Sequence, residues 1–108
     1  MFTKEIGIKE VLKVLADDLN LKILSFLSVH GELCVCDLQS LTKANQSTVS
    51  RHLKDLEGSN LISVRKDGKW HYYSLGKTPG FVSEIVELSI EEYGIRDVKF
   101  HPNTCSNR

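Results

Sequence analysis

The sequence predicts a mainly α-helical domain in which four helices precede a small β-hairpin and a last helix follows it. Three observations support this fold class. Four stretches between residues 6 and 58 carry apolar side chains at helical spacing. Two β-prone stretches flank Asp67-Gly68, and another apolar-periodic stretch covers about residues 79–93. With 108 residues, 41% of them hydrophobic and 26% charged, the chain has the size and composition of one globular domain.

Three helices are predicted before the fourth, and the third of them is short. The first is predicted at residues 6–15. Asp17 and Asp18 are candidates for the N-cap of the second helix, which we expect to end near Gly31. The third helix is expected to begin around residues 33–36, directly before the fourth.

The fourth helix is predicted from an apolar stripe formed by Val49, Leu53 and Leu56. Residues 45–47 (Asn-Gln-Ser) supply capping chemistry at its start, and Gly58 marks its end. The stripe leaves the polar and cationic side chains of this helix on its other faces.

Two stretches with the sequences LISVRK and KWHYYSL read as strands joined across Asp67-Gly68, a pair typical of hairpin turns. The last helix, about residues 79–93, has Pro79 near its first turn. This order of elements is that of a winged helix-turn-helix. We expect the domain to occupy residues 1–98 and residues 99–108 to form a flexible C-terminal tail.

Charge is unevenly distributed although the formal net charge is zero. Residues 43–77 contain seven lysine or arginine residues and three acidic ones, a local net charge of +4. Residues 81–98 contain five acidic residues and one arginine, a local net charge of −4. A basic centre beside an acidic segment indicates an anionic partner that docks on the centre.

The fourth helix and the hairpin carry side chains suited to double-stranded DNA. Arg51 can reach guanine or a phosphate, Gln46 can read adenine, and short hydroxyl side chains let the backbone approach. Basic hairpin side chains can contact phosphates. A merely solvated helix and hairpin would have the same composition, so that alternative stays open here. The candidate DNA contacts are Gln46, Ser47, Thr48, Ser50, Arg51, Lys54, Arg65, Lys66 and Lys69.

Four aromatic residues near these contacts are interpreted as structural. His52 lies near the edge of the buried stripe and is read as a hydrogen-bonded structural histidine rather than a ligand. Trp70, Tyr72 and Tyr73 are read as packing residues, because double-stranded DNA exposes no base faces for them to stack on.

Three cysteines, an odd number, do not make a disulfide scaffold. No membrane-spanning apolar run or signal peptide is recognised, so we expect a cytoplasmic protein with reduced thiols.

Cys34 and Cys36 on a regular helix would point about 200° apart, so both can hold one ion only if the backbone there is non-helical. Thiolates select soft ions. The alternative is that both are small buried hydrophobic residues.

These motifs resemble those of the ArsR/SmtB family of metal-sensing repressors, over roughly residues 8–93. ELCVCDL at residues 32–38 is similar to the metal-binding box of arsenic- and cadmium-sensing members. The stretch at residues 46–75 is similar to the recognition helix and wing. The resemblance implies a homodimer, formed through the first and last helices, that binds a palindromic operator and releases it when an effector binds.

The resemblance also implies that Cys34 and Cys36 are the sensing thiolates. The arsenic box continues with a third cysteine where this chain has Gln39, so Cys105, or another donor, is the candidate third ligand. The cadmium and lead branch adds cysteines near the N-terminus, and no cysteine precedes Cys34. The zinc branch uses histidine on the last helix, and residues 79–93 contain none.

The sequence therefore favours a non-enzymatic repressor that leaves DNA when As(III) or Sb(III) binds. Two alternatives keep the same fold, one sensing Cd(II) or Pb(II) and one released by oxidation of the neighbouring thiols. A thiol-redox enzyme has no support beyond the cysteines. A winged-helix module that binds protein instead of DNA also stays open.

Overall fold

The structure is a computed structural model, and it describes residues 7–100. Within that range the order of helices and hairpin is the predicted one, with a short extra strand and a 3₁₀ turn. The elements are α1 (Ile8–Leu15), α2 (Asp18–His30), β1 (Glu32–Cys34), α3 (Val35–Thr42), α4 (Gln46–Gly58), β2 (Ile62–Asp67), β3 (Trp70–Leu75), α5 (Gly80–Glu92) and a 3₁₀ helix (Ile95–Asp97).

Local capping sets the ends of α2 and α4. The Asp17 carboxylate accepts a hydrogen bond from the backbone N–H of Asn20, as expected for an N-cap residue. Gly31 ends α2 with a φ of 89°, a conformation that glycine adopts without strain. Asn45 caps α4 through its side-chain oxygen. At the other end of α4 the left-handed residue is Asn60, with a φ of 61°, rather than Gly58.

The core lies around α2, which contributes four apolar side chains to it. The predicted stripe of α4 is buried against this core, as is the inner face of α5. Packing of this kind supplies most of the stability of short helices such as these. The apolar residues buried by these three helices are Ile23, Leu24, Phe26, Leu27, Val49, Leu53, Leu56, Val82, Val86 and Ile90.

The sheet has three antiparallel strands in the order β1-β3-β2. The sequence predicts only the β2–β3 hairpin, and β1 is an addition. The turn is shifted by one residue from the prediction: Asp67 pairs with Trp70, so Gly68 and Lys69 form the two-residue connection. Gly68 has a φ of 62°, which this tight turn needs.

The chain after α5 folds back along α2. The Tyr93 hydroxyl donates a 2.8 Å hydrogen bond to the Asp18 carboxylate, which raises the pKa of Tyr93 to about 12. The rings of His30 and Phe100 lie 4.9 Å apart between centroids.

Residues 101–108, which include Cys105, lie outside the described range. None of the helices in residues 7–100 is long and apolar enough to cross a membrane.

The N-cap of α4 generates the first prediction. Asn45→Ala removes the side-chain acceptor of the Thr48 N–H, a 2.8 Å hydrogen bond. We expect the free energy of unfolding to fall by about 0.5–2 kcal/mol. Urea unfolding measures this loss. Lys54→Ala, on the exposed face of the same helix, is the control and should change stability by less than about 0.5 kcal/mol. Equal unfolding midpoints for Asn45→Ala and the unmodified protein would contradict the assignment.

Candidate nucleic-acid interface and cysteine site

The outer face of α4 carries the predicted DNA contacts. Burial of the apolar stripe on one side turns the opposite side of the helix to solvent. The Asn45 cap fixes the first turn, and the Ser47 hydroxyl donates to the same Asn45 oxygen over 3.0 Å. The exposed candidates on this helix are Gln46, Ser47, Arg51 and Lys54, and the half-buried ones are Thr48 and Ser50.

Lys66 and Lys69 are exposed on the hairpin, as predicted. Lys69 occupies the turn itself, and its ammonium lies 5.8 Å from the centroid of the Trp70 ring. Because the turn projects from the body of the sheet, these two charges are available to a polyanion. The hairpin therefore supplies the basic wing that the sequence predicts.

Arg65 is placed differently from the two lysines. Its Nε and Nη2 donate to both carboxylate oxygens of Glu32, over 2.9 and 2.8 Å. Its guanidinium also lies 4.7 Å from the Tyr72 ring centroid, and Asp67 is 3.9 Å away. The hydrogen bond from Arg65 is the main cause that lowers the pKa of Glu32. The Nε and Nη2 donors of Arg65 become available to a phosphate only if the phosphate displaces Glu32.

Sequence reasoning missed the role of Glu32, because its partner lies 33 residues away. The strand that holds Glu32 covers only three residues, Glu-Leu-Cys, which is too few to show a period in the sequence. His52, by contrast, agrees with its predicted structural role: its Nδ1 lies 2.9 Å from the side-chain oxygen of Asn20. Tyr73 is buried, and Trp70 and Tyr72 are half-buried, in line with packing.

The two neighbouring cysteines lie at the junction of β1 and α3. Cys34 is the last residue of β1 and the N-cap of α3, with extended backbone (φ −92°, ψ 172°). Cys36 is the second residue of α3 and is half-buried. The backbone is therefore non-helical at Cys34, which is the condition that allows both sulfurs to approach one ion. Cys36 is disulfide-bonded in the structure, so it can act as a ligand only after reduction.

Cys34 is a free thiol that is only 2% exposed. Burial raises the pKa of Cys34 above the usual thiol range. Asp37 forms a reciprocal capping box with it, in which the Cys34 N–H donates to Asp37 Oδ2 over 3.3 Å. The second carboxylate oxygen, Oδ1, is buried and has no hydrogen-bond partner among the described residues. A protonated, buried thiol thus lies beside an incompletely paired carboxylate.

A crevice of about 420 Å³ joins the cysteines to both predicted DNA-binding elements. One wall is the start of α3, the second is the first turn of α4 and the third is the wing. The two cysteines therefore share one crevice with residues of the predicted DNA-binding elements. The lining residues are Cys34, Val35, Cys36, Gln39, Gln46, Ser50, Lys69, Trp70, His71 and Tyr73.

Among residues 7–100, no three His, Cys, Asp or Glu side chains are grouped closely enough to hold a metal ion. The predicted ligands Cys34 and Cys36 therefore have no grouped third ligand within that range. Cys105, the predicted third sulfur, lies outside it and stays a prediction. Thiophilic effectors, not hard cations, fit the two sulfurs.

Known proteins with similar sequences are regulatory proteins. The family model described as "Bacterial regulatory protein, arsR family" matches residues 17–64. The arsenical resistance operon repressor of Escherichia coli (strain K12) is 42% identical over 79 residues, which are 72% of this chain and 68% of that protein. A cadmium resistance transcriptional regulatory protein CadC homolog of Staphylococcus aureus is 43% identical over 80 residues, 74% of this chain but 64% of that protein.

Two solved structures share the fold. The antimony-specific transcriptional repressor AntR superposes with a TM-score of 0.65 at 29% identity, covering 87% of each chain. The homodimeric winged helix-turn-helix DNA-binding domain of Mb0332 from Mycobacterium bovis gives a TM-score of 0.63 at 27% identity, covering 83% of this chain and 78% of that one. The fold is therefore the predicted winged helix-turn-helix, and the chain belongs to the arsR family of regulatory proteins, which are not enzymes.

Proposed function

We propose that this chain is a transcriptional repressor that binds operator DNA as a homodimer and leaves it when As(III) or Sb(III) binds Cys34 and Cys36. The observation that carries the proposal is the shared crevice, in which the two cysteines face the first turn of α4 and the wing. An effector bound there contacts the DNA-reading elements without an intermediate layer of protein.

DNA recognition is assigned to α4 and the wing. In a major groove, Gln46 and Arg51 would face base edges, while Ser47, Thr48 and Ser50 allow close approach of the backbone. Lys54, Lys66 and Lys69 would neutralise phosphates, which position the protein without reading sequence. Arg65 would add a further phosphate contact on leaving Glu32.

A homodimer is supported by apolar side chains that α1 and α5 leave exposed. Ile8 and Leu12 on α1 are 58% and 48% exposed, and Leu88 on α5 is 68% exposed. Two-fold pairing would bury such side chains and present two copies of α4 to successive major grooves. The half-sites would then lie about 10–10.5 base pairs apart, or a multiple of that spacing. The Mb0332 domain, of similar fold, is homodimeric.

Effector binding would follow thiol exchange at As(III). Each As–S bond forms as the thiol proton passes to an arsenic-bound hydroxyl, which leaves as water, so no oxidant or reductant is consumed. Soft metalloid centres favour such sulfur ligands. Cys36 must first be reduced. Cys105 would complete a three-sulfur site, because Gln39 occupies the position where a third cysteine would follow along α3.

Coupling to DNA would use the two elements that Cys34 contacts, the wing and α3. Cys34 pairs with Tyr72 in the wing and caps α3, the helix that precedes α4. Movement of its sulfur toward a metalloid would displace both. A coupling of about 1–3 kcal/mol per site lowers affinity about 5–150-fold, whereas a complete switch needs about 5.5 kcal/mol, so both sites of a dimer would contribute.

A second effector class is favoured by one finding, the 43% identity to the CadC homolog, whose name states cadmium resistance. Cd(II) and Pb(II) are thiophilic and fit the same two sulfurs. The titration below therefore includes cadmium beside the metalloids.

The effector assignment is tested by DNA release. A duplex from the promoter of the chain's own gene is bound in a reducing buffer and titrated with arsenite, antimonite, cadmium and zinc. We expect release by arsenite and antimonite, lost in Cys34→Ser and in Cys36→Ser. Cys105→Ser decides the third ligand. Normal release by arsenite from both single variants would refute the cysteine site, and release by cadmium alone would replace the metalloids as effector.

The wing assignment is tested by the salt dependence of DNA affinity. Glu32→Gln releases Arg65 from a bidentate pair, so affinity should rise and the slope of log K against log salt should steepen by about 1. Lys69→Gln should reduce the slope by about 1.

Asp67→Asn is the matched control for Glu32→Gln. It removes one negative charge from the same sheet but leaves the Arg65–Glu32 pair intact. The steeper slope should therefore be specific to Glu32→Gln. Identical slopes for these two variants would mean that Arg65 does not reach phosphate. Salt-independent affinity of the unmodified chain would refute DNA binding itself.

The raised pKa of Cys34 predicts its alkylation profile. A thiol whose pKa is raised above its usual range stays protonated at neutral pH, and only the thiolate reacts. In the Cys36→Ser/Cys105→Ser variant, the iodoacetamide rate should be far below that of an unfolded-chain cysteine at pH 7. It should still increase with pH above the usual thiol range of about 8.5. A plateau at or below that pH would contradict the burial argument.

A further inference from the structure

Asn20 is a buried polar side chain at the corner between α1 and α2. It is only 3% exposed. Its Nδ2 donates a 2.9 Å hydrogen bond to the carbonyl of Val14 in α1, and its backbone N–H donates to the Asp17 carboxylate over 3.0 Å. Both helices at this corner thus fix the position of one amide side chain.

His52 reaches this amide from the middle of α4. Because Asn20 Nδ2 is committed to the Val14 carbonyl, the side-chain oxygen of Asn20 faces His52, and His52 Nδ1 carries the hydrogen that is donated over 2.9 Å. Asp17 Oδ1 lies 3.4 Å from the same nitrogen. The His52 side chain is 12% exposed, so little water competes for this bond.

The buried side chains of α4 are apolar. Val49, Leu53 and Leu56 hold the helix against the core, but apolar packing is not directional. A hydrogen bond is directional, and its strength falls steeply with misalignment. His52 directly follows Arg51, so the bond that fixes its imidazole also fixes how far α4 is rolled about its axis.

We propose that Asn20 and His52 are a positioning pair that sets the roll of α4 for reading bases. The inference deepens the proposed function and rests on it, since it assumes that α4 binds DNA. Neither residue touches DNA in this proposal. Base-edge contacts depend on helix roll, whereas contacts with phosphates through long lysine side chains tolerate small rotations. Loss of the pair should therefore reduce sequence preference more than overall DNA affinity.

The experiment compares two substitutions of His52 on two DNA duplexes. His52→Phe keeps a planar ring and removes the donor, and His52→Gln keeps a donor. Affinity is measured at one salt concentration for the promoter duplex and for a random duplex of equal length and base composition. His52→Phe should bind the promoter duplex about 10-fold more weakly and the random duplex within about twofold of the unmodified chain. His52→Gln should recover most of the preference.

Asn20→Ala, alone and combined with His52→Phe, provides the second measurement. If the two residues act as one unit, the double variant should lose no more preference than either single variant. The folded fraction of each variant is measured by thermal unfolding, and each affinity is calculated from the concentration of folded protein. Should Asn20→Ala fail to fold, the comparison of His52→Phe with His52→Gln decides alone.

Equal loss on both duplexes would reduce the pair to a structural role and overturn the proposal, as would an unchanged preference in His52→Phe. If the unmodified chain itself shows no preference for the promoter duplex over the random one, the proposed function fails together with this inference. That result is distinguishable from failure of this inference alone, because it is observed with the unmodified chain before any substitution is made.

Discussion

The antiparallel pairing of β1 with β3 is the constraint on which the arrangement of this molecule depends. It places Glu32 opposite Ser74, and Cys34 opposite Tyr72. Three residues of extended backbone thereby connect α2, the cysteine pair and the wing. Without this strand, the cysteines would belong to a helix start alone, and the wing would be a two-stranded hairpin with no pairing to the chain around Cys34.

Two kinds of contact hold the DNA-facing surface, and they have different consequences. Apolar packing buries the inner side of α4 and contributes most of the stability, while single polar pairs determine orientation and charge. The Arg65–Glu32 pair is exposed and is therefore worth little to stability. It nevertheless decides how many cations the wing offers to a polyanion. The Asn20–His52 bond is buried, and its geometry is correspondingly restricted.

Residues close in sequence were predictable, and distant partners were not. The Asn45 cap, the α4 stripe and the stop at Gly31 follow from residues within one or two turns. Strand β1 has three residues, too few to show a period, and its partner strand begins 38 residues further on. The hairpin turn was misplaced by one residue because Asp-Gly and Gly-Lys are both compatible with a two-residue loop.

In the candidate site, too, the residues recognisable from local sequence were predictable and their distant partners were not. Cys34 and Cys36, together with the exposed side chains of α4, could be named from spacing and side-chain chemistry. The partners of Arg65 and His52 lie 33 and 32 residues away in sequence. No local pattern encodes such separations. Composition also gave no indication that Glu32 neutralises one of the predicted DNA contacts.

The near-complete burial of Cys34 has a consequence for the speed of a response. Because Cys34 is only 2% exposed, an effector that binds its sulfur would need a local opening of the residues that cover it, and the rate of that opening is set by the protein. At high effector concentration the observed rate would then level off at the opening rate instead of increasing with concentration. The same barrier would slow effector loss, so the conformational state of the wing would persist after the surrounding effector concentration falls.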